Sequence, residues 1–215
     1  MLNVNLDLNI TDYVTVDFNS IIECVDLLGG VDMEITDDEA SLMTGYIREL
    51  NELTGNKAEN LTQGGTYTLN GVQACAYARI RYGGGDDYRR TERQRTVLTA
   101  MVKKAQQSDL TTVNKLINEV CGDIQTSFSN AELLALASQV FQYSIGDTTG
   151  FPFTKTTKVL SKKTGDVVIP CDLSDNVKEL HIFLYEDSAY TVSDTVKQNS
   201  EKIVSDTGFK SGDGH

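Results

Sequence analysis

YARIR at residues 77–81 and DYRRTERQR at residues 87–95 are the two stretches on which the interpretation of this chain depends. They contain six arginines, whereas the whole chain of 215 residues has a formal net charge of -12. Three acidic residues lie between the first and the last of these arginines, so six positive charges less three leave the segment with +3. A positive segment on an acidic protein predicts a dedicated anion site. Guanidinium groups bind phosphate oxygens in pairs, which favours phosphate as that anion.

The helix predicted after Asp87 becomes cationic at its N-terminal end. Its expected apolar stripe contains Val97, Leu98 and Met101, and the same stripe continues backwards through Gln94, Arg93 and Arg90. Buried arginine is rarely tolerated without a partner, so this pattern predicts a pocket with an apolar floor and an arginine rim. The N–H groups at the start of the helix would add to the attraction for anions. The alternative is a solvated basic face of ion pairs, which we expect for Arg89 and Arg95.

Arg79 and Arg81 are expected to point at one target. Residues two apart share a face in extended backbone, whereas in a helix they would diverge by roughly 200°. We therefore expect the helix predicted over residues 69–78 to unwind near Arg79. Asp87 lies three residues before Arg90, a spacing suited to orienting that arginine or to capping the helix.

The composition is that of an ordinary globular protein, with 40% hydrophobic and 23% charged residues. No Pro/Ser-rich linker interrupts the chain, so we predict one domain over residues 1–205 and a flexible tail over residues 206–215. A pI near 4.5 argues against nonspecific nucleic-acid binding as the main activity. No run approaches the ~18 apolar residues of a membrane span, and no basic-then-apolar signal segment opens the chain.

Hydrophobic periodicity and turn residues predict strands that are interspersed with helices. The predicted strands cover residues 13–16 and 31–35 and a hairpin at 159–169, and the predicted helices cover residues 18–28, 37–53, 69–78, 87–107, 110–120, 130–143, 172–184 and 193–204. Asp37 or Asp38 is expected to cap the second of these helices. This order predicts an α/β fold, a three-layer α-β-α sandwich with a central mixed sheet and helices on both faces.

The cysteines and the internal histidine are expected to be structural. Cys24, Cys75, Cys121 and Cys171 are far apart in sequence and form no metal-ligand pair, so small buried apolar roles are favoured over disulfides. His181 lies in an apolar helical segment, which favours a structural histidine. Asp32 and Glu34 alternate with apolar residues, which indicates a solvated strand face rather than a metal site.

Four motifs together resemble the LytR-CpsA-Psr family. LNGVQACAYARIR at 69–81 is similar to its signature LnGeqALaYaRiR, and DYRRTERQR at 87–95 to DfgRteRQr. Upstream, ITDYVTVDF at 10–18 and VDLLGGV at 25–31 are similar to ItdYvtvdf and vDalGGV. DLSDNVKELHIFL at 172–184 resembles a C-terminal element of many members. The motifs occur in the family's order and cover most of the chain.

The resemblance implies an enzyme of the Gram-positive cell envelope that lies outside the cytoplasm. Members move a glycopolymer, such as a teichoic acid or a capsular polysaccharide, from a polyprenyl-pyrophosphate carrier to peptidoglycan, with Mg2+ as the usual cofactor. By position the pyrophosphate and lipid contacts would be Arg79, Arg81, Arg90, Arg93 and Gln94. Arg79, Arg81 and Arg90 would also be catalytic, with Asp87 as an acidic partner in the same cluster.

The resemblance starts at about Leu2, after the family's strands that carry the metal-binding aspartates. We therefore expect the usual Mg2+ ligands to be absent from this chain, the central sheet to be incomplete, and the membrane anchor of the parent protein to precede it. This soluble part alone is expected to be impaired or inactive.

Two other functions are compatible with the same arginines. One is a non-catalytic module that binds polyprenyl phosphate or an anionic glycan, which the missing metal ligands would favour. The other is a nucleic-acid-binding regulator, against which the overall acidity and the lack of a recognisable docking motif argue. Our expectation is therefore that nucleic acid is not a partner.

Overall fold

The computed structural model describes residues 1–81, 87–120 and 124–214. They form two compact units, one of residues Asp12–Asp147 and one of residues Met1–Thr11 with Thr148–His215. The single domain over residues 1–205 and the flexible tail over residues 206–215 stay predictions. No helix within the described ranges combines the length and the apolar character that a membrane crossing needs.

The elements alternate between helix and strand much as the periodicity predicts. In chain order they are α1 (Leu2–Leu6), β1 (Val14–Thr15), α2 (Phe18–Leu27), β2 (Val31–Ile35), α3 (Asp37–Thr54), β3 (Gly65–Leu69), α4 (Gly71–Arg79), α5 (Asp87–Gln107), α6 (Leu110–Val120), β4 (Gln125–Thr126), α7 (Asn130–Ser138), a 3-10 turn (Val140–Gln142), β5 (Lys155–Ser161), β6 (Gly165–Pro170), α8 (Leu173–Tyr185) and α9 (Asp194–Thr207). The α/β class is confirmed.

The strands are short, and within the described ranges they pair as three two-stranded antiparallel sheets rather than as one large sheet. β1 pairs with β4, β2 with β3, and β5 with β6. In the β2–β3 pair Val31 lies opposite Leu69 and Ile35 opposite Gly65. The side chains of β2 alternate between buried and exposed, so one face of this pair meets the core and Asp32 and Glu34 lie on the solvent side, as expected.

Helix α3 begins at Asp37, so the prediction that Asp37 or Asp38 caps it is wrong. Thr36 is the cap: its hydroxyl accepts from the Glu39 N–H, and the Glu39 carboxylate accepts from the Thr36 N–H. This reciprocal box satisfies two donors that the helix itself leaves unpaired. Asp37 instead accepts a hydrogen bond from the Gly64 N–H at 2.7 Å.

The core of the larger unit lies between α2, α3, α4, α5 and the inner face of β2 and β3. Its fully buried side chains include Val25, Ile35, Met43, Ile47, Leu50, Leu69 and Ile80. Helix α4 is buried over most of its length, because its alanines and Cys75 allow neighbouring helices to approach closely. This small-residue composition explains why the short helix lies at the centre of the unit.

Helices α2 and α4 meet at a contact of backbone against backbone. A Cβ atom on Gly71 would lie 2.2 Å from the Ile22 carbonyl oxygen, a distance that real Cβ atoms do not reach. The Asp26 carboxylate accepts from the Gly71 N–H at 2.7 Å, so an α2 side chain satisfies the first donor of α4. Asn70 caps the same helix end. Asp26, Asn70 and Gly71 thus have architectural roles.

The smaller unit consists of the β5–β6 hairpin, α8, α9 and the segment of residues 1–11. His181 is buried, stacks on the Tyr190 ring at 3.6 Å and lies 2.9 Å from the Leu6 carbonyl oxygen. A carbonyl can only accept, so Nε2 carries a proton and donates it to the Leu6 carbonyl. These contacts give His181 a structural environment, as expected.

Asp7 anchors the segment of residues 1–11 to α9 and the residues before it. Its carboxylate accepts from the Tyr190 hydroxyl, from the Ser193 N–H at 2.8 Å and from the Ser193 hydroxyl at 2.7 Å. Burial raises the pKa of this carboxyl, but the hydrogen bonds from Tyr190 and Ser193, with His181 nearby, lower it more. The pKa therefore lies below its ordinary value of 3.8.

We expect Gly71→Ala to lower the free energy of unfolding by about 3 kcal/mol, because its Cβ would force α2 and α4 apart. Gly45→Ala is the matched control: Gly45 is an interior residue of α3 with open space around it. It should raise the free energy of unfolding by about 0.5–1 kcal/mol. Urea unfolding followed by circular dichroism measures both. Equal stabilities for the two variants would contradict the α2–α4 contact.

We expect Asp7→Asn to lower the free energy of unfolding by about 1–2 kcal/mol at pH 7, since it weakens charge-assisted hydrogen bonds. A depressed pKa stabilises the fold above the unfolded value and loses that effect as pH falls through the folded value. The difference from wild type should therefore shrink below pH 3.8. Urea unfolding at pH 7 and pH 3 checks this, with the exposed Glu201→Gln as control. A difference independent of pH would contradict it.

Candidate anion-binding site

The site is built where α4 ends. The last helical residue is Arg79, and Ile80 has extended backbone angles of φ -54° and ψ 130°. The helix therefore stops at the predicted place, and Arg81 follows outside it as an exposed residue. Ile80 itself is fully buried and fixes the chain between the two arginines in the core.

Arg79 is held by contacts from α2 and α3. Its Nη2 donates to the Glu49 carboxylate at 3.0 Å. Its guanidinium lies 4.8 Å from the Phe18 ring centre and 5.6 Å from that of Tyr46. The side chain is 23% exposed, so the charge sits at the edge of the core with aromatic rings beside it.

Arg93 is the most deeply buried arginine of the cluster, with 7% of its surface exposed. Its Nε donates to the Glu39 carboxylate at 3.1 Å, and its Nη1 donates to the Ile80 carbonyl at 3.4 Å. Glu39 therefore balances the buried charge, and a pocket is not needed to explain it. The same guanidinium holds the end of α4 beside the second turn of α5.

The buried stripe of α5 is rotated relative to the prediction. Arg93 and Val97 are buried, whereas Leu98 is 56% exposed and Gln94 is exposed. The prediction that Leu98 and Gln94 face the core is therefore wrong. The reason is that the Glu39 carboxylate balances the charge of Arg93, so α5 can bury Arg93. Arg90, one turn before Gln94, is half-buried.

The structure connects the two elements that carry the predicted site. The Arg93–Ile80 hydrogen bond joins α5 to the residue between Arg79 and Arg81, and Arg90 lies three residues before Arg93 on the same helix. Arg89 is exposed and Arg95 half-buried. The Asp87 side chain lies outside the described residues. The pyrophosphate contacts expected of Arg79, Arg81, Arg90, Arg93 and Gln94 stay predictions.

The cysteine beneath this site is not poised for nucleophilic chemistry. Burial raises the pKa of the Cys75 thiol to about 12, although the charge of Arg79 acts in the opposite direction. The thiol is therefore protonated at neutral pH. Cys171 is buried as well, Cys24 is half-buried, and Cys121 lies outside the described residues.

A divalent cation has no evident site in the described part of the chain. Residues 1–81, 87–120 and 124–214 bring no three His, Cys, Asp or Glu side chains close enough to hold a metal ion. The donor set expected for Mg2+ is thus not fitted by these residues, and the family-implied cofactor stays a prediction.

Sequence reasoning missed the acidic and aromatic partners of the arginines. Glu39, Tyr46 and Glu49 lie on one flank of α3, next to its buried stripe. At 100° per residue a helical wheel places these three together, so the signal was present in the spacing. Which arginine each carboxylate pairs with does not follow from this spacing.

The chain matches a known protein family. The profile of the LytR_cpsA_psr family matches residues 1–160. The chain belongs to this family. Its signature residues divide into two groups, since Asp26, Asn70 and Gly71 build the α2–α4 contact while Arg79 and Arg93 serve the arginine cluster.

Two curated relatives resemble the chain over a little more than half its length. One is the polyisoprenyl-teichoic acid–peptidoglycan teichoic acid transferase TagV of Bacillus subtilis, 28% identical over 133 residues, which are 61% of this chain and 32% of TagV. The other is biofilm regulatory protein A of Streptococcus mutans, 30% identical over 124 residues, 57% of this chain and 29% of that protein. The chain therefore spans about a third of the length of these relatives.

A solved structure supports the fold of this LytR_cpsA_psr chain. The crystal structure of Bacillus subtilis TagV matches with a TM-score of 0.63 and 22% identity, covering 89% of this chain and 69% of that one. At this identity the likeness concerns the fold alone. It includes both compact units, because the match extends over nearly nine tenths of the chain.

We expect Arg93→Ala to lower the free energy of unfolding by about 3 kcal/mol, because Glu39 would keep a nearly buried charge without its partner. Arg95→Ala, which removes the same charge from a half-buried position of the same helix, should change it by no more than about 1 kcal/mol. Chemical denaturation of both variants supplies the comparison. If Arg93→Ala were as stable as Arg95→Ala, the structural role of Arg93 would be refuted.

Proposed function

We propose that this protein acts in attaching a glycopolymer from a polyprenyl-pyrophosphate carrier to peptidoglycan, as a phosphotransferase of the Gram-positive cell envelope outside the cytoplasm. One observation carries the proposal: Arg79 presents a guanidinium at the edge of the core with aromatic rings beside it. A cation beside apolar walls suits a ligand that joins phosphates to a lipid. The relative TagV is named a teichoic acid transferase, which supports the same class of substrate.

In the proposed reaction a sugar hydroxyl of peptidoglycan attacks the phosphorus nearer the glycopolymer. A new P–O bond forms to that hydroxyl, which loses its proton, and the pyrophosphate P–O bond breaks so that polyprenyl phosphate leaves. Negative charge grows on the bridging and equatorial oxygens. Arg79, Arg81 and Arg90 would bind and orient the pyrophosphate and stabilise that charge. The described residues do not fit a Mg2+ site, so no step here is assigned to a metal.

The proposed partners are a lipid-linked teichoic acid or capsular polysaccharide and the peptidoglycan acceptor. A membrane surface is a further proposed partner, because the lipid carrier would lie in it. Nucleic acid is not among the proposed partners, because the net charge of -12 disfavours binding of a polyanion to the chain as a whole.

A second candidate function is retention of the lipid pyrophosphate without turnover. The observation that favours it is that no three metal-binding side chains cluster within the described residues. In that case the arginines would bind a polyprenyl phosphate or an anionic glycan, and chemistry would need groups beyond these residues.

The test uses the chain of 215 residues with farnesyl pyrophosphate as the probe. We expect Arg79→Ala to weaken binding, measured by calorimetric titration, by about 10-fold or more, since a charge-assisted hydrogen bond is lost. The control is Arg48→Ala, which removes the same charge from α3. Arg48 is exposed and lines a separate groove of about 400 Å³ with Asn51 and Asn60.

Release of farnesyl phosphate in the presence of Mg2+ separates the two functions. Release that Arg79→Ala slows by about 100-fold supports the transferase, because loss of one donor to transition-state charge costs about that much. Binding without release supports the retention module. Wild-type protein that shows no affinity for farnesyl pyrophosphate would refute both.

A further inference from the structure

The guanidinium of Arg79 has one engaged end and one unused end. Nη2 donates a hydrogen bond to the Glu49 carboxylate at 3.0 Å, and the rings of Phe18 and Tyr46 lie close to the charged group. Nη1, the other terminal nitrogen, is buried and has no hydrogen-bond partner anywhere in the part of the chain that the structure describes. The contacts thus fix the side chain while one donor is left unsatisfied.

A buried donor without an acceptor destabilises a fold. It has lost its bonds to water and gained none in return, which costs about 1–3 kcal/mol. Such groups are rare in folded proteins, and each calls for an explanation. A ligand oxygen that binds Nη1 provides that explanation, because the donor is then satisfied in the complex.

We propose that Glu49 is a positioning residue for Arg79, which it holds so that Nη1 is directed at an oxygen of a pyrophosphate ester. This inference rests on the proposed function and adds to it a residue outside both arginine motifs. Glu49 would not touch the ligand. It would act through the guanidinium, whose plane the neighbouring aromatic rings help to fix.

Because Glu49 is negatively charged, the direction in which its removal changes anion binding tests the proposal. A carboxylate close to an anion site repels the anion, so removing its charge would strengthen anion binding if electrostatics were its only effect. A positioning residue gives the opposite result, since its loss lets Arg79 adopt rotamers in which Nη1 no longer reaches the ligand. The two roles therefore predict changes in opposite directions.

The experiment compares three variants of the full chain by calorimetric titration with farnesyl pyrophosphate. Glu49→Ala removes the charge and the acceptor, whereas Glu49→Gln removes the charge and keeps an amide oxygen that can accept from Nη2. Glu52→Gln is the control, because it removes the same charge from an exposed position of α3 that lines the separate groove. The Glu49 side chain is 49% exposed, so these variants are expected to fold, which circular dichroism verifies.

We expect Glu49→Ala to weaken binding by about 10-fold and Glu49→Gln to weaken it by no more than about 3-fold, since the amide restores the contact. Glu52→Gln should leave binding unchanged or slightly tighter. Unchanged or tighter binding by Glu49→Ala would overturn the proposal.

A second readout separates this proposal from the proposed function. NMR of the Arg79 guanidinium reports restricted rotation about its Cζ bonds without any ligand. We expect restricted rotation in wild type and in Glu49→Gln, and free rotation in Glu49→Ala. If wild type did not bind the probe, the function would fail while the positioning of Arg79 could still be measured. If rotation were equally restricted in Glu49→Ala, positioning would fail whatever the binding result.

Discussion

The ion pair between Arg93 and Glu39 is the interaction on which the rest of the arginine cluster depends. It allows α5 to bury a cation at the point where the helix packs against α3 and the end of α4. Burying a lone guanidinium would be prohibitive, whereas a partnered one is tolerated. With this pair in place Ile80 is fixed, and the two arginines on either side of it take their positions from the backbone. The pair is thus a structural condition for an anion site rather than a part of its chemistry.

Helix α3 serves the structure with two of its faces. Its apolar stripe, which includes Met43, Ile47 and Leu50, forms much of the core. One flank supplies both carboxylates that balance the arginines, and Glu39 in addition closes the capping box at the start of the helix. The rigidity of a capped and well-packed helix is therefore transmitted to the guanidinium groups. This arrangement suits a site in which charges have to be held in place before a ligand arrives.

The sequence alone indicated much of the fold and less of the site. The bounds of β2, α5 and α6 follow directly from periodicity and turn residues, because these signals are local. The end of α4 near Arg79 was also predicted, from the expectation that Arg79 and Arg81 point at one target, and that expectation itself stays a prediction. The rotation of α5 was not, because it depends on Glu39, a residue 54 positions away that compensates Arg93. The contact of Gly71 with the Ile22 backbone also joins residues far apart in sequence, so periodicity could not predict it. The glycine itself indicates only a place where the backbone can be approached closely.

The engagement of Nη2 by Glu49 has a consequence for selectivity. While that ion pair lasts, one N–H of Nη2 is taken by Glu49, so Arg79 has fewer donors to offer to a single phosphate. An isolated orthophosphate would meet fewer donors than an unpaired guanidinium offers. A ligand long enough to bridge Arg79 and a second guanidinium would be held more tightly, which is a chelate effect. The protein would in this way distinguish a diester of two joined phosphates from the abundant free anion by length rather than by charge.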